Sequence, residues 1–227
     1  MGISHDLGRN QRDPGVDRGV QLNLDLGHRA RGRTRVRDAG KRSGEPGLVE
    51  AWLESALRVV SGEISILRSE NEFDWLGNGI YYWEYAPKQA WAWADRKRKN
   101  EHWPRDEEVA VVASMIRLGF CFDLLDPDNT HEIKACYREY LIFCERLGQE
   151  PRKNYQHRKY LDCAVFQLAY AAFKRDGIQV DSSRSVYVPT GPRRRAWKSS
   201  SVSEDAHIQL CIRNDDCILG SWLAKPR

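Results

Sequence analysis

The sequence predicts an α+β fold, in which helices form the middle of the chain and strands lie on either side of them. A β-prone aromatic run, 80–84, follows a glycine turn. Apolar residues then recur at three-to-four spacing over 107–125, 133–147 and 161–173, the period of an amphipathic helix. Two further β-prone segments, 185–188 and 207–213, come after these helices. Strands and helices grouped in this way are typical of α+β proteins rather than of alternating βαβ units.

The first half of this pattern predicts two helices and two strands. Apolar residues at positions 48, 52, 56, 57 and 60 predict a helix that ends at Gly62. A short strand is expected at 64–67, followed by the aromatic strand. Pro87 suits the first turn of a helix, and this helix carries Trp91 and ends in the charged run 95–99.

The second half predicts three helices and then a return to strands. The segment 107–125 is apolar enough to form a largely buried helix. Asn129 or Thr130 is expected to cap the next helix, which Gly148 closes. The third helix covers 161–173, and strands follow at 185–188, 207–213 and 217–219.

Composition narrows the class of protein. With 227 residues, 41% of them hydrophobic and 30% charged, the chain is ordinary for a globular protein. It has no apolar run long enough to cross a membrane and no secretory signal at its N-terminus. None of the six cysteines forms a C-x-x-C pair, and neither cysteines nor histidines come in ligand spacing. We therefore expect reduced core thiols, no metal site and a cytoplasmic location.

Residues 1–46 differ from the rest of the chain. They contain ten Lys and Arg residues, of which only Lys41 is lysine, and no Phe, Tyr, Trp or Cys. Such a segment buries too little apolar surface to offset the cost of ordering, so we expect a disordered Arg/Gly-rich leader. The abrupt change near Gly47 also fits a start that is not native, such as a shifted reading frame. The folded domain is expected to span 48–227.

The glycine turn and the strand after it are the most informative part of the chain. Gly77 and Gly79 allow positive φ or a close approach of the backbone to another group. On the strand that follows, Tyr81 and Tyr82 face opposite sides. One of them can enter the core while the other lines a pocket as a flat stacking surface. The alternative is an aromatic core strand after an ordinary turn.

Three stretches together resemble the diphtheria-toxin-like ADP-ribosyltransferases, the family that includes the poly(ADP-ribose) polymerases, and especially a group of bacterial proteins with that fold. The first is Phe73-Asp74-Trp75-Leu76-Gly77-Asn78-Gly79-Ile80-Tyr81-Tyr82-Trp83-Glu84. The others are 161–165, and 207–214 with 217–220. This resemblance implies a split β-sheet with a helical middle and NAD as the substrate.

The resemblance also implies which residues form the site. Tyr81 matches the tyrosine that stacks on nicotinamide, where an aromatic face excludes water beside a developing cation. Gln209 is the first choice for the third catalytic position and Glu204 the second. An uncharged Gln orients the ribose but stabilises positive charge less than a carboxylate does. The residues implied to surround NAD are Gly77, Gly79, Tyr81, Tyr82, Trp91 and His207. The alternative for Gln209 is a polar residue satisfied within a sheet.

One motif of the family is missing. No Tyr-His-Gly occurs in the chain, and the place where spacing would put it reads Ser43-Gly44-Glu45-Pro46-Gly47. The lost motif and the unusual leader meet at the same point. The hypothesis is that the native first strand has been replaced, which would impair NAD binding.

A basic loop before the last strands suggests the acceptor. Arg193, Arg194, Arg195, Trp197 and Lys198 combine cations that grip phosphates with a ring that stacks on a base. The run 96–99 adds a second basic cluster. We expect RNA, DNA or a protein as acceptor. The resemblance to the family implies the setting, a toxin or phage-defence effector with a cognate antitoxin. Two alternatives stay open: a solvated basic loop, and an inactive module of this fold that binds nucleic acid.

Overall fold

The computed structural model describes residues 18–23, 49–100, 109–156, 158–188 and 195–225. They form both helices and strands, and this mixed architecture is compatible with the predicted α+β class. A short 3-10 helix, Asp215–Cys217, precedes the last strand. The elements in chain order are β1 (Arg18–Asn23), α1 (Val49–Val60), β2 (Ile80–Glu84), α2 (Pro87–Asn100), β3 (Val112–Ile116), β4 (Cys121–Asp123), α3 (Pro127–Arg146), α4 (Tyr160–Arg175), β5 (Ser182–Tyr187), β6 (His207–Ile212) and β7 (Ile218–Leu223).

The seven strands are hydrogen-bonded in the order β4-β5-β6-β2-β1-β3-β7. Strands β4 and β5 run parallel, and the other neighbouring pairs are antiparallel. The register of β2 on β6 pairs Tyr81 with Cys211 and Trp83 with Gln209. Because directly paired residues share a face, these four side chains point to the same side of the sheet.

Helices cover both faces of this sheet. On one side, which we call the α1 face, Ile80, Tyr82 and Leu210 pack against Ala56 and Val59 of α1. On the other side, which we call the α4 face, a second core forms between the sheet and α4. Helix α2 lies on this same side, where Trp83 packs against Ala90 and Ala94. The members of the second core that matter for the site are Leu76, Tyr81, Phe166, Tyr170 and Cys211.

A buried ion cluster ties three strands together on the α1 face. The guanidinium of Arg184 on β5 contacts both carboxylate oxygens of Glu84 on β2, at 2.5 and 3.1 Å. Its third contact is the carboxylate of Asp123 on β4, at 3.1 Å. Arg184 and Glu84 are each 8% exposed. Burial opposes the charge of Arg184, but the two carboxylates outweigh it and raise the pKa of the guanidinium.

The predicted elements are confirmed in part. Helices α1, α2 and α4 and strands β2, β5, β6 and β7 lie where the patterns place them, with shifts of a few residues at their ends. The helix predicted for 107–125 is wrong, because this segment forms β3 and β4. The strand predicted for 64–67 is also wrong: Ile66 packs in the α1 core without pairing, and the nearest ladder contact is the isolated bridge Ser69↔Gly79.

Helix α3 begins earlier than its sequence indicated. Its N-cap is Asp126, whose side chain accepts a hydrogen bond from the Asp128 N–H at 3.0 Å, and Pro127 occupies the first turn. The prediction that Asn129 or Thr130 caps this helix is therefore wrong. Both residues lie inside the helix, where Asn129 donates to the Asp123 carbonyl and Thr130 to the Asp126 carbonyl.

Strand β1 comes from the segment that composition marked as a leader. Its backbone pairs with β2, with Gln21 opposite Glu84, and with β3, with Gln21 opposite Ser114. No pattern in the sequence indicated this strand. The remainder of 1–46 lies outside the described residues, so its disorder stays a prediction. None of the helices that the structure describes is long and apolar enough to span a membrane.

Candidate functional site

Gln209 lies at the centre of a chain of hydrogen bonds on the α4 face. Its Oε1 accepts from the indole Nε1 of Trp75 at 2.5 Å, and its Nε2 is 3.1 Å from the Nε2 of His207. The Nδ1 of His207 lies 2.6 Å from the Asp205 carbonyl oxygen. A carbonyl only accepts, so Nδ1 carries the ring proton and Nε2 accepts from the Gln209 amide. The network thus fixes both the orientation of the amide and the tautomer of the imidazole.

The surroundings of His207 favour its neutral form. Burial lowers the pKa of this imidazole, and the positive charge of Arg96 lowers it further. The backbone and carboxylate of Asp205 act in the opposite direction and do not outweigh burial. A protonated ring would turn an N–H toward the Gln209 amide hydrogens. The amide would then have to rotate and give up its bond to Trp75.

A row of rings runs past this network, and we call it the aromatic row. The Trp75 ring meets the Tyr187 ring edge-on, with 5.6 Å between centroids, and Tyr187 lies 5.3 Å from the His207 ring. Trp83 lies 6.5 Å from His207 and 6.1 Å from Trp93. Trp93 is 45% exposed, and the Arg96 guanidinium sits 5.4 Å above its ring. The row therefore combines π-faces, one fixed amide and a cation, which suits a planar heterocycle with a phosphate attached.

Tyr81 lies on the same face, opposite Cys211, which is two residues from Gln209 along β6. Its hydroxyl donates to the Gly77 carbonyl at 2.7 Å and accepts from the Leu76 N–H at 2.9 Å. Burial raises the pKa of this phenol, so it stays neutral. The ring packs against the second core, so Tyr81 is partly buried.

Gly77 and Gly79 serve close packing of the loop that precedes β2. Gly77 has φ +77°, and a Cβ there would lie 2.7 Å from Cε2 of Tyr170. A Cβ on Gly79 would lie 2.5 Å from the Cys211 sulfur and 2.6 Å from the Ile212 oxygen. The Tyr170 hydroxyl also donates to the Leu76 carbonyl at 2.6 Å. The glycines let the loop lie directly on α4 and β6, and this places Trp75 beside Gln209.

Three other predicted site residues are not brought together with Tyr81 and Gln209. Tyr82 is fully buried on the α1 face, where its hydroxyl donates to Ser114 at 3.2 Å. Trp91 packs against the core under α2, and its buried indole N–H has no hydrogen-bond partner in the part of the chain that the structure describes. Glu204 is exposed in the loop before β6.

The basic loop is described from Arg195 onward, whereas Arg193 and Arg194 lie outside the described residues. Arg195 pairs with Ser203 in an isolated bridge and donates to the Ser200 carbonyl at 3.2 Å. Trp197 is 64% exposed, and Lys198 beside it is exposed too. An indole and two cations thus face solvent together on this loop.

Sequence reasoning missed part of the aromatic row. Trp75 lies inside the motif but had no assigned role, although its place two residues before Gly77 could have indicated that it belongs to the site. Tyr187 could not be found without the register, which pairs it with His207 across β5 and β6. A separate cavity of about 360 Å³ lies at the end of α4 and is lined by Tyr170, Lys174 and Arg213 among others. None of the predicted site residues lines it.

No family model, no curated protein and no solved structure matches the chain. Across the described residues, no group of three or more His, Cys, Asp or Glu side chains is arranged to hold a metal ion. All six cysteines are free thiols, and burial raises the pKa of Cys211 to about 12.

Proposed function

We propose that the domain is an NAD-dependent ADP-ribosyltransferase that binds NAD on the α4 face of the sheet, between α2 and α4. The observation that carries this proposal is the fixed amide of Gln209 on the same face of the sheet as Tyr81. The resemblance implies that both residues belong to the family's site, and the strand register puts them on one face of the sheet.

The proposed reaction breaks the bond between the nicotinamide nitrogen and C1′ of its ribose. Nicotinamide leaves with the bonding electron pair, and a nucleophile of the acceptor forms the new bond to C1′ and loses its proton. The ring of Tyr81 would pack against the nicotinamide and keep water away. The Nε2 of Gln209 carries a second hydrogen besides the one directed at His207, and this hydrogen would be donated to a ribose hydroxyl.

The uncharged side chain at position 209 limits the rate on physical grounds. The transition state has oxocarbenium character, and a carboxylate stabilises such positive charge more than an amide does. Slow turnover, or hydrolysis of NAD by water, is therefore expected of this chain. The acceptor is RNA, DNA or a protein, and analogy with the family suggests a toxin or defence effector that a cognate antitoxin restrains.

Incubation with NAD labelled in the adenylate part, with and without RNA, DNA or cell lysate, tests the proposal. Tyr81→Ala should reduce label transfer or hydrolysis by about tenfold or more, which corresponds to about 1.4 kcal/mol of transition-state stabilisation. Gln209→Glu should raise turnover, because it supplies the missing negative charge.

The matched control is Tyr137→Ala, which removes a 40% exposed tyrosine from α3 and should leave turnover unchanged. The proposal is wrong if the wild-type chain and Gln209→Glu both fail to turn over NAD and neither shows a rise in melting temperature with it.

A second candidate function is an inactive module of this fold that binds nucleic acid. The exposed Trp197 between Arg195 and Lys198 favours it, as does the amide at position 209. Salt-sensitive oligonucleotide binding without any NAD turnover, lost in Trp197→Ala, would support this candidate over the enzyme.

A further inference from the structure

We propose that the connection between α3 and α4 is a binding surface for single-stranded nucleic acid. We call it the α3–α4 turn and define it by Arg152, Lys153, Tyr155, Arg158 and Lys159. It lies apart from the basic loop at 195–198 and needs no NAD, so it goes beyond both candidate functions above.

Hydrogen bonds hold the α3–α4 turn in one shape. Tyr155 and Arg158 exchange two backbone hydrogen bonds, each 2.9 Å long. The Oδ1 of Asn154 accepts from the Leu161 and Asp162 N–H groups at 3.0 and 3.3 Å, which satisfies the first turn of α4. The Arg152 N–H donates to the Tyr140 hydroxyl at 3.1 Å. A surface that is already ordered loses less entropy when a ligand binds.

The charge of the turn is positive and largely uncompensated. Residues 150–162 include four Lys and Arg residues and two acidic residues, Glu150 and Asp162. Asp162 already accepts a hydrogen bond from the Asn154 amide at 2.7 Å. Arg152 has a long contact of 3.5 Å to Glu72, with both side chains well exposed. The other three cations make no ion pair with any residue that the structure describes, so they are available to phosphates.

Tyr155 supplies a stacking surface at the tip of the turn. It is 66% exposed, the highest value among the large hydrophobic residues that the structure describes. Behind it, the Arg158 guanidinium lies 5.6 Å over the Phe73 ring and donates to the Tyr160 hydroxyl at 3.3 Å. An exposed ring and a held guanidinium plane both stack on bases, and phosphates beside them meet the lysines.

These features favour a single strand over a duplex. The bases of a duplex are stacked on each other and offer no free π-face, whereas unpaired bases stack on aromatic side chains. The turn also leads toward the candidate site. Phe73 contacts Tyr160 with 5.8 Å between ring centroids, and it lies two residues before Trp75, where the aromatic row begins.

Fluorescence anisotropy with a labelled oligothymidylate of about 12 nucleotides, without NAD, tests the proposal. Tyr155→Ala should weaken binding about tenfold, whereas Tyr155→Phe should keep it, since stacking needs the ring and not the hydroxyl. Lys153→Ala with Arg158→Ala should lower the slope of log affinity against log salt by about 1.4, since each phosphate contact to a single strand contributes about 0.7.

Matched controls come from the exposed side of α3. Lys134→Ala with Arg138→Ala removes the same charge from exposed positions, and Tyr137→Ala removes an exposed ring. Each should leave affinity within about twofold and the salt slope within about 0.3. Thermal melting of every variant checks that it is folded.

The proposal would be overturned by no binding of the oligothymidylate at about 50 mM salt, by equal loss in the α3 controls, or by tighter binding of a duplex of the same length. Loss of binding in Trp197→Ala but not in Tyr155→Ala would assign binding to the 195–198 loop instead and would also overturn it. NAD turnover plays no part in these measurements, so the enzymatic proposal stands or falls separately.

Discussion

The indole N–H of Trp75 donates to the side-chain oxygen of Gln209 over 2.5 Å, joining residues 134 positions apart in the chain. This bond fastens the glycine loop to β6 at the candidate site. It also uses the Gln209 oxygen, which leaves the amide nitrogen to face His207 and a ligand. Position 209 is thus oriented from both sides by residues that do not themselves have to touch the substrate.

Replacing Gln209 by Leu should destabilise the protein through this bond. The variant leaves the half-buried Trp75 N–H without an acceptor, and the free energy of unfolding should fall by about 1–3 kcal/mol. Urea denaturation measures the change. The double variant Trp75→Phe with Gln209→Leu should lose less than the two single changes added together, because the donor disappears with the acceptor. Strict additivity would contradict the bond.

Gly79→Ala should be harmful because its new methyl group has no space. The added Cβ would meet the Cys211 sulfur and the Ile212 oxygen at 2.5 and 2.6 Å. Overpacking of this kind costs about 1–3 kcal/mol. Gly220→Ala on β7 is the matched control, since a Cβ there has nothing within 4 Å. Urea denaturation should separate the two variants, and equal stabilities would show that the loop does not pack as described.

The buried pair of Glu84 and Arg184 should be far more sensitive than an exposed one. Glu84→Ala leaves a buried guanidinium with Asp123 as its remaining carboxylate contact, and breaking a buried pair typically costs about 3–5 kcal/mol. Glu63→Ala breaks the contact between Glu63 and Arg58, whose side chains are 60% and 47% exposed, respectively. This change should lower the free energy of unfolding by less than about 1 kcal/mol. Chemical denaturation of both variants checks the difference, which would vanish if water reached the buried pair.

Stability should fall in mild acid because of His207. Its pKa is lower in the folded protein than in the unfolded chain, where it is about 6.5. The contribution of the neutral ring is therefore complete above about pH 6.5 and is lost as the pH falls below that value, since the unfolded chain takes up the proton first.

Denaturant titrations at about pH 7.5 and about pH 5.5 measure this effect. The wild-type protein should lose more stability between the two values than His207→Asn does, because the variant has no ring to protonate. Other groups that titrate in this range act in both proteins and cancel in the comparison. An equal loss in the two proteins would mean that the folded state does not suppress protonation of His207.

Local patterns indicate which side chains share a face of one strand better than they indicate the course of the whole sheet. Alternation along β6 puts His207, Gln209 and Cys211 on one face, because a period of two needs no knowledge of partners. By contrast, 107–125 looked helical because a run of apolar residues buried on both faces of a strand has the same composition as a buried helix. Gly119, at φ +59° and close against Asp181, marks the break between β3 and β4.

Long-range pairing explains what the sequence could not predict. Tyr187 enters the aromatic row only through the register of β5 on β6, and the Arg184 cluster draws on three separate strands. Strand β1 is the element that depends most on pairing with distant parts of the chain. Its segment lacks aromatic residues, and both of its partners are strands that follow it by more than 50 residues.

Strand β1 lies between β2 and β3 and holds the two parts of the sheet together. It is the strand through which β3 and β7 join β2, β6, β5 and β4 by backbone hydrogen bonds. Taking it out would leave two smaller blocks of strands whose facing edges, on β2 and β3, carry N–H and C=O groups with nothing to bond. Such edges recruit other chains, so a version of the protein trimmed to its helical start at Val49 would tend to associate with itself through this gap.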